Sequence, residues 1–260
     1  MIDVFKYNSR AWDNEAENHN EWTIPVGVKE IAKARTGKFS VVLTPNKPVP
    51  RDWFPNNFVD KNVLCLASAG GQQAPIFAAL GANVTSFDAS EKQLGRDRFV
   101  AERDSLQLGL EQGDAADLSR FEDESFDLVF HPVSNCFIKE IQPVWNEAYR
   151  VLKKQGVLLS GFDNGFFFIF DHFKSENEGK LELRFSLPYS DETDLTDEEL
   201  AHIIEQNQPL EYGHTLEQQI GGQISAGFVI TGFYEDEWNN EATELNKYCS
   251  TFIATRAVKL

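Results

Sequence analysis

Cysteine is scarce: Cys65, Cys136 and Cys249 are the only three in 260 residues. An odd number at wide spacing builds neither a disulfide framework nor a metal knuckle. The five histidines are scattered without ligand spacing, so no metal is expected. No uninterrupted apolar stretch approaches the roughly 18–20 residues needed to span a membrane. The opening residues, Met1-Ile-Asp-Val-Phe-Lys-Tyr7, lack the basic and apolar regions of a secretory signal. A reducing, cytoplasmic setting is therefore expected, with no membrane association. Positive charge is also in short supply, with 24 Lys and Arg against 41 Asp and Glu, a net charge of −17. A field of that sign repels polyphosphate, so DNA or RNA is not expected as a partner. A solubilising acidic surface and recruitment of a cationic partner both remain compatible with it. No internal repeat or low-complexity tract occurs.

What is present is apolar and aromatic: 42% apolar residues and 21 phenylalanines. The length suffices for one sizeable α/β domain with its own core and an insertion. From Lys61 to Phe162 short apolar runs alternate with helical patterns. Val63–Leu66, Val84–Phe87, Leu108–Glu111, Phe126–His131 and Val157–Phe162 read as strands. Between them, Gln73–Leu80 reads as a helix ended by Gly81. Ser90-Glu-Lys-Gln93 has the form of a capping box and opens a helix to about Ser105. Ile141, Val144, Trp145, Ala148, Tyr149 and Leu152 mark an amphipathic helix. Such alternation implies a parallel sheet with right-handed crossovers.

Residues 1–60 read as a helical extension outside the sheet, with helices around Ser9–Asn18 and Val26–Thr36 and a short strand at Phe39–Leu43. Pro45, Pro48, Pro50 and Pro55 then exclude regular structure and form a stiff connector. Trp12, Trp22 and Trp53 in this region either pin it to the domain or build a lid. Residues 163–213 break the alternation and read as an insertion. It contains Phe166, Phe167, Phe168, Phe170 and Phe173, a strand-like alternation Leu181, Leu183, Phe185, Leu187, and a Thr196/Glu199 capping box. Thr215–Gln218 opens another helix, and Phe228–Tyr234 and Tyr248–Val258 read as closing strands.

The most informative segment is Asn62 to Gln73. A buried strand breaks on Ala67, Ser68, Ala69, Gly70 and Gly71, and then runs into a helix. Small residues there let backbone N–H groups and a helix start approach a ligand. Asp88 follows about twenty residues later at the tip of the second strand, where a carboxylate can accept from a ribose diol. Together they argue for a nucleoside-containing cofactor.

With those elements in that order, the chain resembles the class I S-adenosylmethionine-dependent methyltransferases, within the broad group of ubiquinone-biosynthesis-type enzymes. The resemblance covers about Asn62 to Phe162 and resumes over Thr215 to Lys259. It implies a Rossmann-like, doubly wound, seven-stranded, mostly parallel sheet with an antiparallel last strand. It further implies S-adenosylmethionine as cofactor and methyl transfer as the activity. The family's glycine loop matches Leu66–Gly71, its ribose acid matches Asp88 beside Ala89, and its adenine segment matches Gly113-Asp114-Ala115-Ala116. Cys65 stands where the family usually has an acid, and Ala67 and Ala69 stand where it has glycines.

Each site residue has an ordinary alternative. Asp88 could cap the helix that Ser90 already caps, and Asp114 could be a turn residue. Gln72 and Gln73 reach the methionine moiety or are solvated. His131, at the end of strand four, is a candidate general base or a ring satisfied by backbone while lining the cofactor pocket. Asn135 and His214 are candidate substrate contacts, His214 alternatively a helix-entry residue. Cys136 reads as a small buried thiol. The expected partner is a small-molecule acceptor, possible oligomers being left open by the sequence. The rival functions are an NAD-dependent oxidoreductase, which predicts a fuller Gly-x-Gly-x-x-Gly than is present, and a non-catalytic S-adenosylmethionine-binding regulator.

Overall fold

Seven apolar runs pair into one sheet in a computed structural model that describes residues 2–238 and 243–260. The strands are β1 (Asn62–Leu66), β2 (Asn83–Asp88), β3 (Leu108–Gln112), β4 (Phe126–His131), β5 (Leu152–Asp163), β8 (Val229–Asp236) and β9 (Phe252–Val258). Two further short strands, β6 (Tyr189–Ser190) and β7 (Tyr212–Gly213), form a separate ladder. The main order is β3-β2-β1-β4-β5-β9-β8. All neighbours from β3 to β5 are parallel, and β9 runs antiparallel to both β5 and β8. This is the expected Rossmann-like sheet.

Parallel strands covered on both faces must be apolar on both, and β1 shows this. Val63 and Cys65 face one core, with Phe77, Phe54 and Phe58. Leu64 and Leu66 face the other, with Trp145 and Val144 of α5 (Gln142–Val151). The alternation is the two-residue period of a strand.

Helices α1 (Val4–Glu17), α2 (Val28–Ala34), α3 (Ala74–Ala79) and α4 (Glu91–Asp104) surround the N-terminal half of the sheet. Among the described residues up to 60, none contributes a strand to the sheet, but they do not merely lie on the outside of it. Ile31, Leu43, Trp53, Phe54 and Phe58 are buried in the first core. The short strand expected at Phe39–Leu43 does not form. Only Val42 bridges Pro48, because Pro48 and Pro50 have no N–H with which to extend a ladder. Asp236 instead holds this loop: its Oδ2 accepts from Thr44 Oγ1 (2.7 Å), Asn46 N (2.9 Å) and Lys47 N (2.8 Å).

In the 163–213 stretch, α6 (His172–Glu178), α7 (Asp191–Asp194) and α8 (Asp197–Glu205) surround the β6–β7 ladder. The full Thr196/Glu199 capping box is present. The Leu181–Leu187 strand is absent apart from one Phe170–Leu183 bridge, and Leu183 is exposed. The backbone of this stretch bonds only to the short 169–171 turn, with Arg184 N and Phe185 N donating to Ile169 O and Asp171 N donating to Glu182 O, so the pairing does not extend into a ladder. Likewise only one arm of the Ser90–Gln93 box forms: Ser90 Oγ accepts from Gln93 N at 3.1 Å, while Gln93 Oε1 has no partner. Thr215 and Gln218 cap each other reciprocally ahead of α9 (Gly222–Ala226).

Candidate functional site

β1 and β4 are neighbours at the point where the strand order reverses, the usual site of a ligand crevice in open α/β sheets. β1 breaks there with Ala67 at φ 45°, a left-handed conformation that costs a side-chain-bearing residue roughly 1–2 kcal/mol. Tertiary bonds hold the turn. Ala67 N donates to Phe87 O at 2.8 Å, and Ala69 N donates to Asp88 Oδ2 at 3.1 Å. Asp88 Oδ1 accepts from Ser90 N at 2.9 Å, so the carboxylate fastens both the turn and the start of α4. Burial pushes its pKa up to about 6.

Gly70 and Gly71 have φ of 114° and 76°. A Cβ on Gly70 would lie 2.9 Å from the Trp22 carbonyl oxygen, and one on Gly71 would lie 2.8 Å from Pro25. The two glycines thus admit the N-terminal segment against the loop. Val26 N donates to Gly71 O (2.9 Å), and Gln72 Nε2 donates to the carbonyls of Glu21 and Ile24. From below, buried Asp97 accepts from Gly71 N (2.9 Å) and Ser86 Oγ (2.6 Å), and burial pushes its pKa up to about 7.

Above the strand ends lies a cavity of about 720 Å³, within the roughly 300–1,000 Å³ common for ligand sites. Ala67, Ser68, Ala69, Gln72 and Gln73 line it from the turn. Asp88 and Ala89 line it from the tip of β2, and Asp114 and Ala115 from the loop after β3. Trp12, Trp22 and Trp238 line it from the periphery. Trp53 packs instead against Tyr234, its ring centroid 5.3 Å away. Asn8 of α1 clamps the two covering segments together. Its Nδ2 donates to the carbonyls of Phe137 and Leu210, and its Oδ1 accepts from Leu210 N.

Five residues singled out from sequence do not line the cavity: Gly70, Gly71, His131, Asn135 and His214. His131 is fully buried. Its Nδ1 lies 2.9 Å from Leu66 O and its Nε2 lies 2.8 Å from Asn135 Oδ1. Burial lowers its pKa, which favours a neutral ring with a single N–H. If that N–H donates to Leu66, Nε2 must accept. The amide of Asn135 then faces it with nitrogen, and the Gln219 amide, its Nε2 otherwise unpartnered, donates to Asn135. His214 Nε2 is 3.1 Å from Asn135 O and 2.9 Å from Ile138 O, so its N–H holds the 135–138 turn. All three side chains stand behind the cavity wall.

Other residues, not singled out from sequence, do face the cavity. Asp163, at the end of β5, accepts Gly165 N on Oδ1 at 2.9 Å, while its Oδ2 has no partner. Burial pushes its pKa up to about 7. Ser68 Oγ, Thr251 Oγ1 and His172 Nε2 are likewise buried without partners, and all belong to cavity-lining residues. His172 stands among Phe167, Phe168, Phe185 and Tyr189, with ring centroids 4.9–5.9 Å away. Burial lowers its pKa to about 4. The Asp163-Asn164-Gly165 turn triplet was the one local signal for Asp163. Nothing local marks His172.

A family model described as a methyltransferase domain matches residues 64–160. The chain is 50% identical over 260 residues, all of both chains, to an uncharacterised methyltransferase, YbaJ, of Bacillus subtilis. Its fold is similar to a putative S-adenosylmethionine-dependent methyltransferase of Listeria monocytogenes, with a TM-score of 0.62 and 18% identity over 81% of this chain and 94% of that one. A methyltransferase of Mesorhizobium loti gives a TM-score of 0.60 and 15% identity over 80% and 95%. The chain belongs to the class I S-adenosylmethionine-dependent methyltransferases. It transfers a methyl group from S-adenosylmethionine, and the NAD-dependent reading is set aside. Among the described residues no helix is long and apolar enough to cross a membrane, and no group of three or more His, Cys, Asp or Glu is placed to hold a metal.

Proposed function

We propose that the cavity takes S-adenosylmethionine beside the β1 turn and a small-molecule methyl acceptor beneath the 163–213 insertion. The carrying observation is that Asp88 and the Ala67–Ala69 turn, bonded to each other, open into the same cavity. The residues present fit the cofactor. Asp88 retains lone pairs for a ribose diol, Asp114 lines the cavity with a carboxylate able to accept from an adenine amino group, and Ser68 Oγ is a buried hydroxyl still lacking a partner. Gln72 and Gln73 flank the methionine end. When bound, S-adenosylmethionine supplies an electrophilic methyl carbon on a sulfonium.

The chain's own work is then to align and to exclude water. Orientation of two reactants can supply roughly 7–11 kcal/mol of a barrier. His131 positions the turn through Leu66 rather than acting as a base, since it is walled off from the cavity. Trp12 and Trp22, on the segment fastened by Asn8 and Gln72, form the cover. The insertion is the acceptor cap, with Phe167, Phe168 and His172 as its inner surface.

Calorimetry with S-adenosylmethionine, S-adenosylhomocysteine and NAD tests the cofactor assignment. Binding of the first two and not the third is expected, with a loss of about tenfold or more in Asp88→Ala. Unaltered affinity in that variant would remove Asp88 from the site. Mass spectrometry of metabolite pools incubated with labelled S-adenosylmethionine then tests the acceptor, label transfer to a macromolecule being the contrary result.

A further inference from the structure

Among the described residues, seven carboxylates line the cavity, against a single lysine, Lys139, and no arginine. That lysine is held 2.7 Å from Glu192. An anionic acceptor would enter against this charge, whereas a cationic one would be drawn in.

The carboxylates are not equivalent. Both oxygens of Asp88 accept backbone N–H groups. Asp191 accepts the Tyr189 hydroxyl at 2.7 Å and Glu211 N at 2.7 Å. Asp163 is different. It is 4% exposed, its Oδ2 has no donor, and only backbone N–H groups oppose the burial that pushes its pKa up. Thr251 Oγ1, 1% exposed, is also without a partner. The two lie at adjoining strand ends: Asp163 pairs in register with Phe252, and Asn164 N donates to Thr251 O at 2.9 Å. A buried carboxylate oxygen without a donor is costly, and a ligand donor would relieve it.

Beyond Asp163 the chain turns into the aromatic wall. Phe168 N donates to Gly165 O at 3.0 Å, and Phe168 stacks on Tyr189 with centroids 5.4 Å apart. Phe167, Phe168, Tyr189 and His172 all line the cavity. The low pKa of His172 keeps its ring uncharged near neutrality, so it would not repel a cation. Aromatic faces beside an ammonium add a further attraction.

We propose that the acceptor is an apolar amine, its ammonium group held by Asp163 Oδ2 and Thr251 Oγ1 and its apolar body by Phe167, Phe168 and Tyr189. This rests on the reading of the cavity as a cofactor-and-acceptor site. It names a recognition group and not the atom that is methylated.

The test uses three compounds of one shape, 4-phenylbutylamine, 4-phenylbutanol and 4-phenylbutanoate. Each is titrated calorimetrically into the full chain saturated with S-adenosylhomocysteine. The amine is expected to bind at least tenfold more tightly than the alcohol, and the carboxylate not measurably. Asp163→Asn should weaken the amine at least tenfold and the alcohol less than twofold. Thr251→Val, which keeps the shape of the side chain, should weaken the amine by a smaller factor. Melting temperature and S-adenosylhomocysteine affinity in each variant report an intact fold and site. Failure of S-adenosylhomocysteine to bind defeats the cavity assignment itself. With that ligand bound, equal affinity for amine and alcohol, or binding of none of the three at millimolar concentration, overturns the amine proposal. If Asp163→Asn weakens S-adenosylmethionine but not S-adenosylhomocysteine and leaves amine binding intact, the carboxylate serves the sulfonium, which also overturns it.

Discussion

Nδ1 of His131 lies 2.9 Å from the carbonyl oxygen of Leu66, so the tip of β4 restrains the residue at which β1 breaks. The side chain at the end of β4 therefore reaches the turn after β1 through a neighbouring strand's backbone rather than through the cavity.

His131→Phe should raise KM for S-adenosylmethionine severalfold and leave kcat at saturation within a few fold. Loss of the partner of a buried carbonyl should lower stability by about 1–3 kcal/mol. A general base would behave otherwise, with kcat falling on the order of 10²–10⁴-fold. Steady-state kinetics and denaturant unfolding separate the two.

Asp88 has its pKa pushed up to about 6. Above that pH the ionised carboxylate is ready to accept from a ribose diol; below it, protonation removes that capacity. S-adenosylmethionine affinity should therefore be flat above about pH 7 and fall as pH drops through 6. In Asp88→Asn the affinity should be lower, by about tenfold, and independent of pH over this window. Titrations at several pH values check both.

Burial pushes the pKa of Asp97 up to about 7 in the folded protein, from an ordinary carboxylate value of 3.8. Between these values the folded state holds the proton more firmly than the unfolded chain does. By linkage its contribution to stability is fully present below about pH 4 and is lost as pH rises through 7. Asp97→Asn can keep the bond from Gly71 N and donate to Ser86. The variant should gain in melting temperature relative to the parent as pH rises from 4 to 8. A constant difference across that range would remove Asp97 as the cause.

Ala67 sits at φ 45°. Ala67→Gly relieves roughly 1–2 kcal/mol of backbone strain but adds roughly 0.4–1 kcal/mol of unfolded-chain entropy. A net stabilisation of about 0.5–1 kcal/mol is expected in urea unfolding. A destabilised variant would mean that the alanine methyl packs favourably enough to outweigh the strain.

Trp12, Trp22 and Trp238 line the cavity, whereas Trp53 and Trp145 are buried in the cores. Tryptophan emission should change when S-adenosylhomocysteine binds. The change should persist in a Trp53→Phe/Trp238→Phe background and be largely lost when Trp12 and Trp22 are also replaced by Phe. Its survival in that last variant would count against the N-terminal segment as a cover.

The sequence by itself determined the strand and helix order from Asn62 to Phe162 and the helix and closing strands after Thr215, because apolar periodicity and the Gly81 and Thr215 end signals are local; within the insertion it marked the Thr196 helix start alone. It also marked the turn after Leu66 and the carboxylate at Asp88, whose chemistry follows from residue type and spacing. Tertiary structure decided which of these residues see the cavity. His131, Asn135 and His214 look like site residues along the chain, yet the two rings bond to backbone and the Asn135 amide bonds to the His131 and Gln219 side chains, behind the wall. Asp163, Thr251 and His172 lie 88 residues apart at the extremes (163 to 251) and become neighbours of one cavity only when β5, β9 and the insertion converge. The Leu181–Leu187 pattern failed for the same physical reason: a strand needs a partner's hydrogen bonds, and periodicity in one segment cannot supply the other.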